Sequence, residues 1–330
     1  METIPGRDFR YRSFWSIMKK YFLKQLLMII PTLLIITIIS FALIRLMPAD
    51  AVDTYMISHK IEKTAENVQM VEDMFGLNKP VIIQYFSWLG DIVHLDFGES
   101  YFSNQTVSSM LLAAFINTLK LALASMIWIV ILTPILGISS SRNPGGLADK
   151  FTRIFSLCGT AVPPFVLGFI LIRLFAIKLG IFPAISDGTW KSLVMPSFTL
   201  SISHIAYFVS MLRNGMIENK KETFVTYAKA RGISDRKIRW THLLRNSLLP
   251  LANTAGISIG GLIAGTVVVE NVFSWPGLGR LIASSILSRD YPVIQGYILL
   301  IAVTYILANL FADFLSVLVD PRIRLGEGDN

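Results

Sequence analysis

The chain has 330 residues, 53% of them hydrophobic and only 16% charged, with a mean hydropathy of +0.58 and a formal net charge of +8. Soluble domains carry about a quarter charged residues, so the composition excludes an ordinary soluble enzyme. The lone Cys158 excludes an internal disulfide and a Cys-rich metal centre, and His59, His94, His204 and His242 are scattered with no metal-ligand spacing.

A helix needs about 20 apolar residues to cross the hydrocarbon of a bilayer. Six charge-free runs reach that length: 25–44, 121–141, 154–172, 192–212, 246–269 and 291–312. Backbone groups in lipid must bond internally, so each run is predicted to be a helix. The first run follows a basic stretch and precedes Ala49-Asp50-Ala51, as a cleaved signal would. Its apolar core is about twice the usual length for a signal, which makes it a span. Placing the N-terminus in the cytoplasm puts twenty Lys and Arg residues in inside segments and seven outside. That asymmetry predicts both termini inside. Residues 1–20 then form a cytoplasmic extension, 21–320 the membrane domain and 321–330 a cytoplasmic tail. Within the domain, 48–105 is a long extracytoplasmic segment rich in aromatics, and 213–245 is a long cytoplasmic one.

The cytoplasmic segment is the most informative. Residues 222–231 lack Gly and Pro, and Phe224, Tyr227 and Ala228 recur at helical spacing, which predicts a short helix with these three on one face. Gly232 stops it. Ser234 is placed to cap a second short helix carrying Ile238, Thr241, His242, Leu244 and Arg245. Two readings stand on the residues alone: a basic loop resting on anionic headgroups, or an element that docks a small apolar face into a groove on a soluble partner.

Several motifs resemble one family. Tyr227-Ala228-Lys229-Ala230-Arg231-Gly232, followed by Leu244-Arg245-Asn246-Ser247-Leu248-Leu249-Pro250, is similar to the EAA loop of ABC-importer permeases. Residues 270–279 (Glu-Asn-Val-Phe-Ser-Trp-Pro-Gly-Leu-Gly), 289–296, 320–324, 75–80 and 96–98 resemble the dipeptide/oligopeptide/nickel permease family, specifically its first permease type with the long outer segment. The chain departs from the pattern at Thr226, where the EAA glutamate would stand, at Pro48-Ala49-Asp50 and over its first twenty residues.

The resemblance implies an all-α integral membrane protein of six transmembrane helices with the ABC type I importer permease fold, in a bacterial or archaeal cytoplasmic membrane. It implies that the EAA helix enters a cleft on a cytoplasmic ATPase, with Tyr227, Ala228, Ala230 and Gly232 as the matching residues. The implied partners are a second homologous permease, two ATPase subunits, an extracytoplasmic substrate-binding protein and membrane lipid, with no nucleic acid. The implied cargo is a di- or oligopeptide, with nickel or a metal chelate as the alternative. The chain has no G-x-x-x-x-G-K-[ST] sequence, so ATP and Mg are expected on the partner ATPases and no cofactor on this chain.

Gly256, Gly260, Gly261 and Gly265 set two small-residue registers in the fifth run, read either as packing within the chain or as the seam between two permeases. Glu270 and Trp275 border that run on the outside. Glu270 is a candidate outer gate or substrate contact, or else an interfacial charge paired with a neighbour such as Arg280. Trp275 is a candidate gate residue or an interfacial aromatic. Lys120 interrupts the start of the second run and is expected to snorkel outward. An ion-coupled carrier or an intramembrane enzyme is the distant alternative; it would need ionisable residues inside the spans, where the runs hold only His204.

Overall fold

The structure is a computed structural model and describes residues 27–43, 45 and 51–319. The 1–20 extension, Pro48-Ala49-Asp50 and the 321–330 tail lie outside the described residues. Every regular element among them is helical; the one β interaction is an isolated bridge between Glu99 and Thr106. Contacts divide the chain into two compact units. One consists of the described residues up to Ser108 with Asp290–Leu307, the other of Ser109–Arg289 with Ala308–Val319.

The first unit begins with α1 (Leu27–Leu43). It continues through α2 (Ala51–Ser58), α3 (Ala65–Met74) and α4 (Val81–Val93), and ends with the first part of α13 (Tyr291–Val319). Thr64 starts α3 as an N-cap, its hydroxyl accepting from the Asn67 N–H at 3.2 Å. Val52, Met56 and Val71 form a small core between α2 and α3. The outer segment is therefore folded, as its aromatic content predicts.

The second unit contains α5 (Val107–Arg142), α6 (Leu147–Ala161), α7 (Pro164–Leu171), α8 (Trp190–Asn219), α9 (Thr223–Ala230), α10 (Asp235–Lys237), α11 (Leu244–Val272) and α12 (Leu278–Ser288). α8 is the hub. Its buried face runs from Met195 through Leu200, Ile205 and Val209 to Met216, and it packs on α6 and α11. Close approach needs small residues: a Cβ at Gly159 of α6 would lie 2.7 Å from the Ala206 Cβ, and one at Gly137 of α5 would lie 2.8 Å from Leu212.

Several expectations change. The second run begins well before residue 121, because α5 already starts at Val107; Lys120 lies on its exposed face with Nζ 3.5 Å from the Asn117 side-chain oxygen. The third run is not one straight helix. α6 and the following helix, Pro164–Lys178, meet at 108°. The cause is Pro163-Pro164: Val162 and Pro163 are extended (ψ 122° and 140°), the conformation forced on a residue that precedes proline. The second amphipathic helix expected after Ser234 is not separate. α10 passes through a π-helical turn, Ile238–Leu243, straight into α11. Among the described residues, α5, α8 and Tyr291–Phe311 are each long and apolar enough to cross a membrane, or four spans if the bent pair counts as one.

Candidate functional site

The segment 213–245 is built around α9. The C-terminal end of α9 is tied down by sequence-local chemistry. Gly232 adopts φ +72°, the left-handed conformation that costs a glycine little. The Gly232 N–H donates to the Lys229 carbonyl (2.9 Å) and the Ile233 N–H to the Ala228 carbonyl (3.1 Å), which is a Schellman motif. The turn brings Ile233 back onto a core made by Val225 and Ala228 with Leu212, Met216, Ile238 and Leu243. The segment is thus packed onto residues of α8 and α11.

The three residues that share the helical spacing do not share one environment. Val225 and Ala228 point inward and Phe224 is half-buried, whereas Tyr227 is 74% exposed. The core beneath α9 takes Val225 and Ala228, with Phe224 at its edge. Tyr227 and Ala230 are left on the outer side with Gly232. Of the four residues matched to the EAA loop, three are therefore accessible and Ala228 is the anchor.

Beneath this element lies a charge cluster that sequence reading missed. Asp149, fully buried, accepts from the Gly145 N–H (2.7 Å), from Arg153 Nη2 (2.9 Å) and from Arg213 Nε. Arg213 lies in the last two turns of α8, so the pair ties α6 to the end of α8 that leads into α9. Sequence reading counted both arginines only as topology signals. Partners 64 residues apart leave no local signal of the pairing.

At the other end of α11, Glu270 is fully buried. It accepts from the Thr118 hydroxyl (2.6 Å), the Gly279 N–H (2.6 Å) and the Arg280 N–H (3.2 Å). Thr118 in turn accepts from the Leu278 N–H at 2.8 Å. Trp275 is also buried, its indole N–H donating to the Asn117 carbonyl (2.9 Å) while Asn117 donates to the Pro276 carbonyl (3.0 Å). The turn 274–279 is thereby clasped between α5 and α11. Arg280 meets Glu270 through its backbone; its guanidinium donates to the Ser274 carbonyl. The glycines of the motif have steric reasons. A Cβ at Gly277 would lie 2.3 Å from the Glu270 carboxylate, and one at Gly279 would lie 2.3 Å from the Val267 Cα. Glu270 and Trp275 are brought together by the fold as the two internal fasteners of one outer turn.

The surroundings of Gly256 and Gly260 lie outside what the structure describes. A Cβ at Gly261 would sit 3.8 Å from His204 Nε2, and one at Gly265 3.3 Å from Leu200, so both face α8 of the same chain. Among the described residues, no group of three or more His, Cys, Asp and Glu side chains is placed to hold a metal ion.

Comparison with known proteins agrees with these features. Residues 133–325 match the family described as binding-protein-dependent transport system inner membrane component, and residues 18–122 match the N-terminal region of such components. The glutathione transport system permease protein GsiC of Pectobacterium atrosepticum is 35% identical over 93% of this chain and 99% of its own length. The same protein of Escherichia coli K12 is 34% identical over the same shares. Among solved structures, an inward-facing MetNI methionine ABC transporter superposes with a TM-score of 0.53 at 18% identity, covering 64% of this chain and 96% of the other, which is a likeness of fold. The chain belongs to the family of binding-protein-dependent transport system inner membrane components.

Proposed function

We propose that this chain is one of two permease subunits of an ATP-driven importer for di- or oligopeptides, a class that includes glutathione. Six spans with both termini in the cytoplasm form half of the pathway, and 213–245 is the coupling loop. ATP and Mg are bound and ATP is hydrolysed on two separate cytoplasmic subunits, and an extracytoplasmic binding protein delivers the cargo. The observation that supports this reading most is the packed α9 unit, which presents Tyr227 and Ala230 outward while Val225, Ala228 and Ile233 anchor it to α8 and α11. Force applied to such a unit reaches two membrane helices. Glu270 and Trp275 are positioning residues for the outer turn in this scheme, and the Gly256–Gly260 register is the seam with the sister permease.

The test is uptake by proteoliposomes that hold both permeases and the ATPases, with binding protein outside. The expected result is ATP-dependent uptake of a tripeptide such as glutathione or of a dipeptide. Uptake of nickel or a metal chelate in place of peptides would replace the cargo assignment, and transport by this chain alone would overturn the importer reading.

A further inference from the structure

The outer segment has a charge of the opposite sign to the chain. Residues 51–107 carry eight acidic and three basic side chains, net −5, against +8 overall. In the first unit this segment, α1 and the start of α13 enclose a cavity of about 870 Å³. That lies within the roughly 300–1,000 Å³ of small-molecule sites.

The wall is aromatic. Tyr55 meets Phe75 and Tyr101 edge-on, with ring centroids 5.2 and 5.6 Å apart, and Phe75 stacks on Tyr101 at 5.3 Å. Phe41 and Trp88 pack together at 5.6 Å and also line the space. The loop that carries Tyr101 is held in place: buried Asp290 accepts from the Ser100 hydroxyl (2.6 Å) and the Tyr101 N–H (3.2 Å). Burial, together with the Asp290 carboxylate, pushes the Tyr101 phenol above its ordinary range, so the ring stays neutral.

The rim is acidic. Asp91, Asp96 and Glu99 line it and are exposed. Among the described residues none of the three is in an ion pair. The one arginine at the rim, Arg45, is engaged by the Gln84 side-chain oxygen and lies over the Phe41 ring, 4.6 Å from its centroid. Carboxylates and aromatic rings lining one cavity favour a cation attached to an apolar body. The rings supply cation–π attraction and apolar contact, and the acids accept its N–H groups.

We propose that this cavity binds a small solute with a primary ammonium group on an apolar body, such as the amino end of a short peptide. The peptide instance rests on the importer reading; the ammonium site does not. The experiment uses the full chain in nanodiscs of neutral lipid, titrated calorimetrically with phenethylamine, phenylalanyl-leucine and N-acetyl-phenylalanyl-leucine. The first two bind saturably and the acetylated peptide at least about tenfold more weakly, as expected when a buried-face cation interaction is lost. Asp91→Asn combined with Glu99→Gln, both at exposed positions, weakens the first two about tenfold while the thermal melt is unchanged. Binding of phenethylamine without the dipeptide upholds the site and tells against a peptide cargo. Equal binding of free and acetylated peptide overturns the proposal. So does an unchanged affinity in the double variant, or no binding of any probe to a chain that melts like the wild type.

Discussion

Glu270 provides a sharp test of whether the outer turn is held from within. Glu270→Ala removes the acceptor for one buried backbone donor, the Gly279 N–H (2.6 Å), and one partly buried, the Arg280 N–H (3.2 Å). The Thr118 hydroxyl also loses its partner, and that hydroxyl supports the Leu278 N–H. A stranded buried donor costs about 1–3 kcal/mol. With one donor buried and the Thr118 hydroxyl also stranded, the loss is roughly 2–4 kcal/mol, a large part of the margin of a typical domain. Glu270→Gln keeps one acceptor oxygen but turns an amide N–H₂ toward groups that are themselves donors, so about 1–3 kcal/mol is expected. Thermal unfolding of the detergent-solubilised chain, followed by the monodisperse peak in gel filtration, should rank wild type above Glu270→Gln and Glu270→Ala lowest. Limited proteolysis should open the 274–279 turn in the same order. If Glu270→Gln melted like the wild type, the clasp would not hold the turn; a normal melt with transport lost would point instead to a direct role toward substrate.

Tyr227→Ala removes an exposed side chain, so the melt should not move, while ATPase stimulation by loaded binding protein should fall several-fold; Val225→Ala, in the core beneath, should lower the melting temperature instead. Asp149→Asn leaves Arg213 without its buried charge partner, at a cost of about 3–5 kcal/mol, and should be read as reduced membrane abundance. Cys158 is exposed, so topology labelling needs a Cys158→Ser background. In intact cells, Ser103→Cys and Ser274→Cys should react with an impermeant thiol reagent and Ser234→Cys should not; reaction at position 234 would reverse the orientation.

How much could be read from sequence depended on the distance between partners. Gly232 ended a helix in sequence and does so in the structure, because a Schellman turn is complete within six residues. Which residues of α9 the chain itself buries was not legible, since Phe224, Tyr227 and Ala228 fit the helical period as well as Val225 does. Only the core formed with Leu212 and Ile238 decides between them. Pro163-Pro164 was visible, but a proline pair inside an apolar run is compatible with a straight span or a broken one until its neighbours are known. The start of α5 was hidden by Lys120, a charge that an exposed helix face accommodates. The outer clasp joins Thr118 to Glu270 across 152 positions, and Asp290 fixes Ser100 across 190. No periodicity connects such pairs. The motif around Glu270 could be matched to a family before its chemistry could be understood.

The central claim, that the α9 segment transmits movement from an ATPase, is tested most directly by Gly232→Val in the assembled transporter. Valine at φ +72° costs roughly 1–2 kcal/mol or more, and the turn that returns Ile233 to the core is lost. A Cβ at this position meets nothing within 4 Å in the chain itself, so the damage comes from the backbone of the turn and not from a clash. The measurement is ATP-dependent uptake together with co-purification of the ATPase subunits at matched membrane abundance. The account predicts normal insertion with uptake lost and the ATPases released or unresponsive to loaded binding protein. Normal uptake with the ATPases still attached would contradict it.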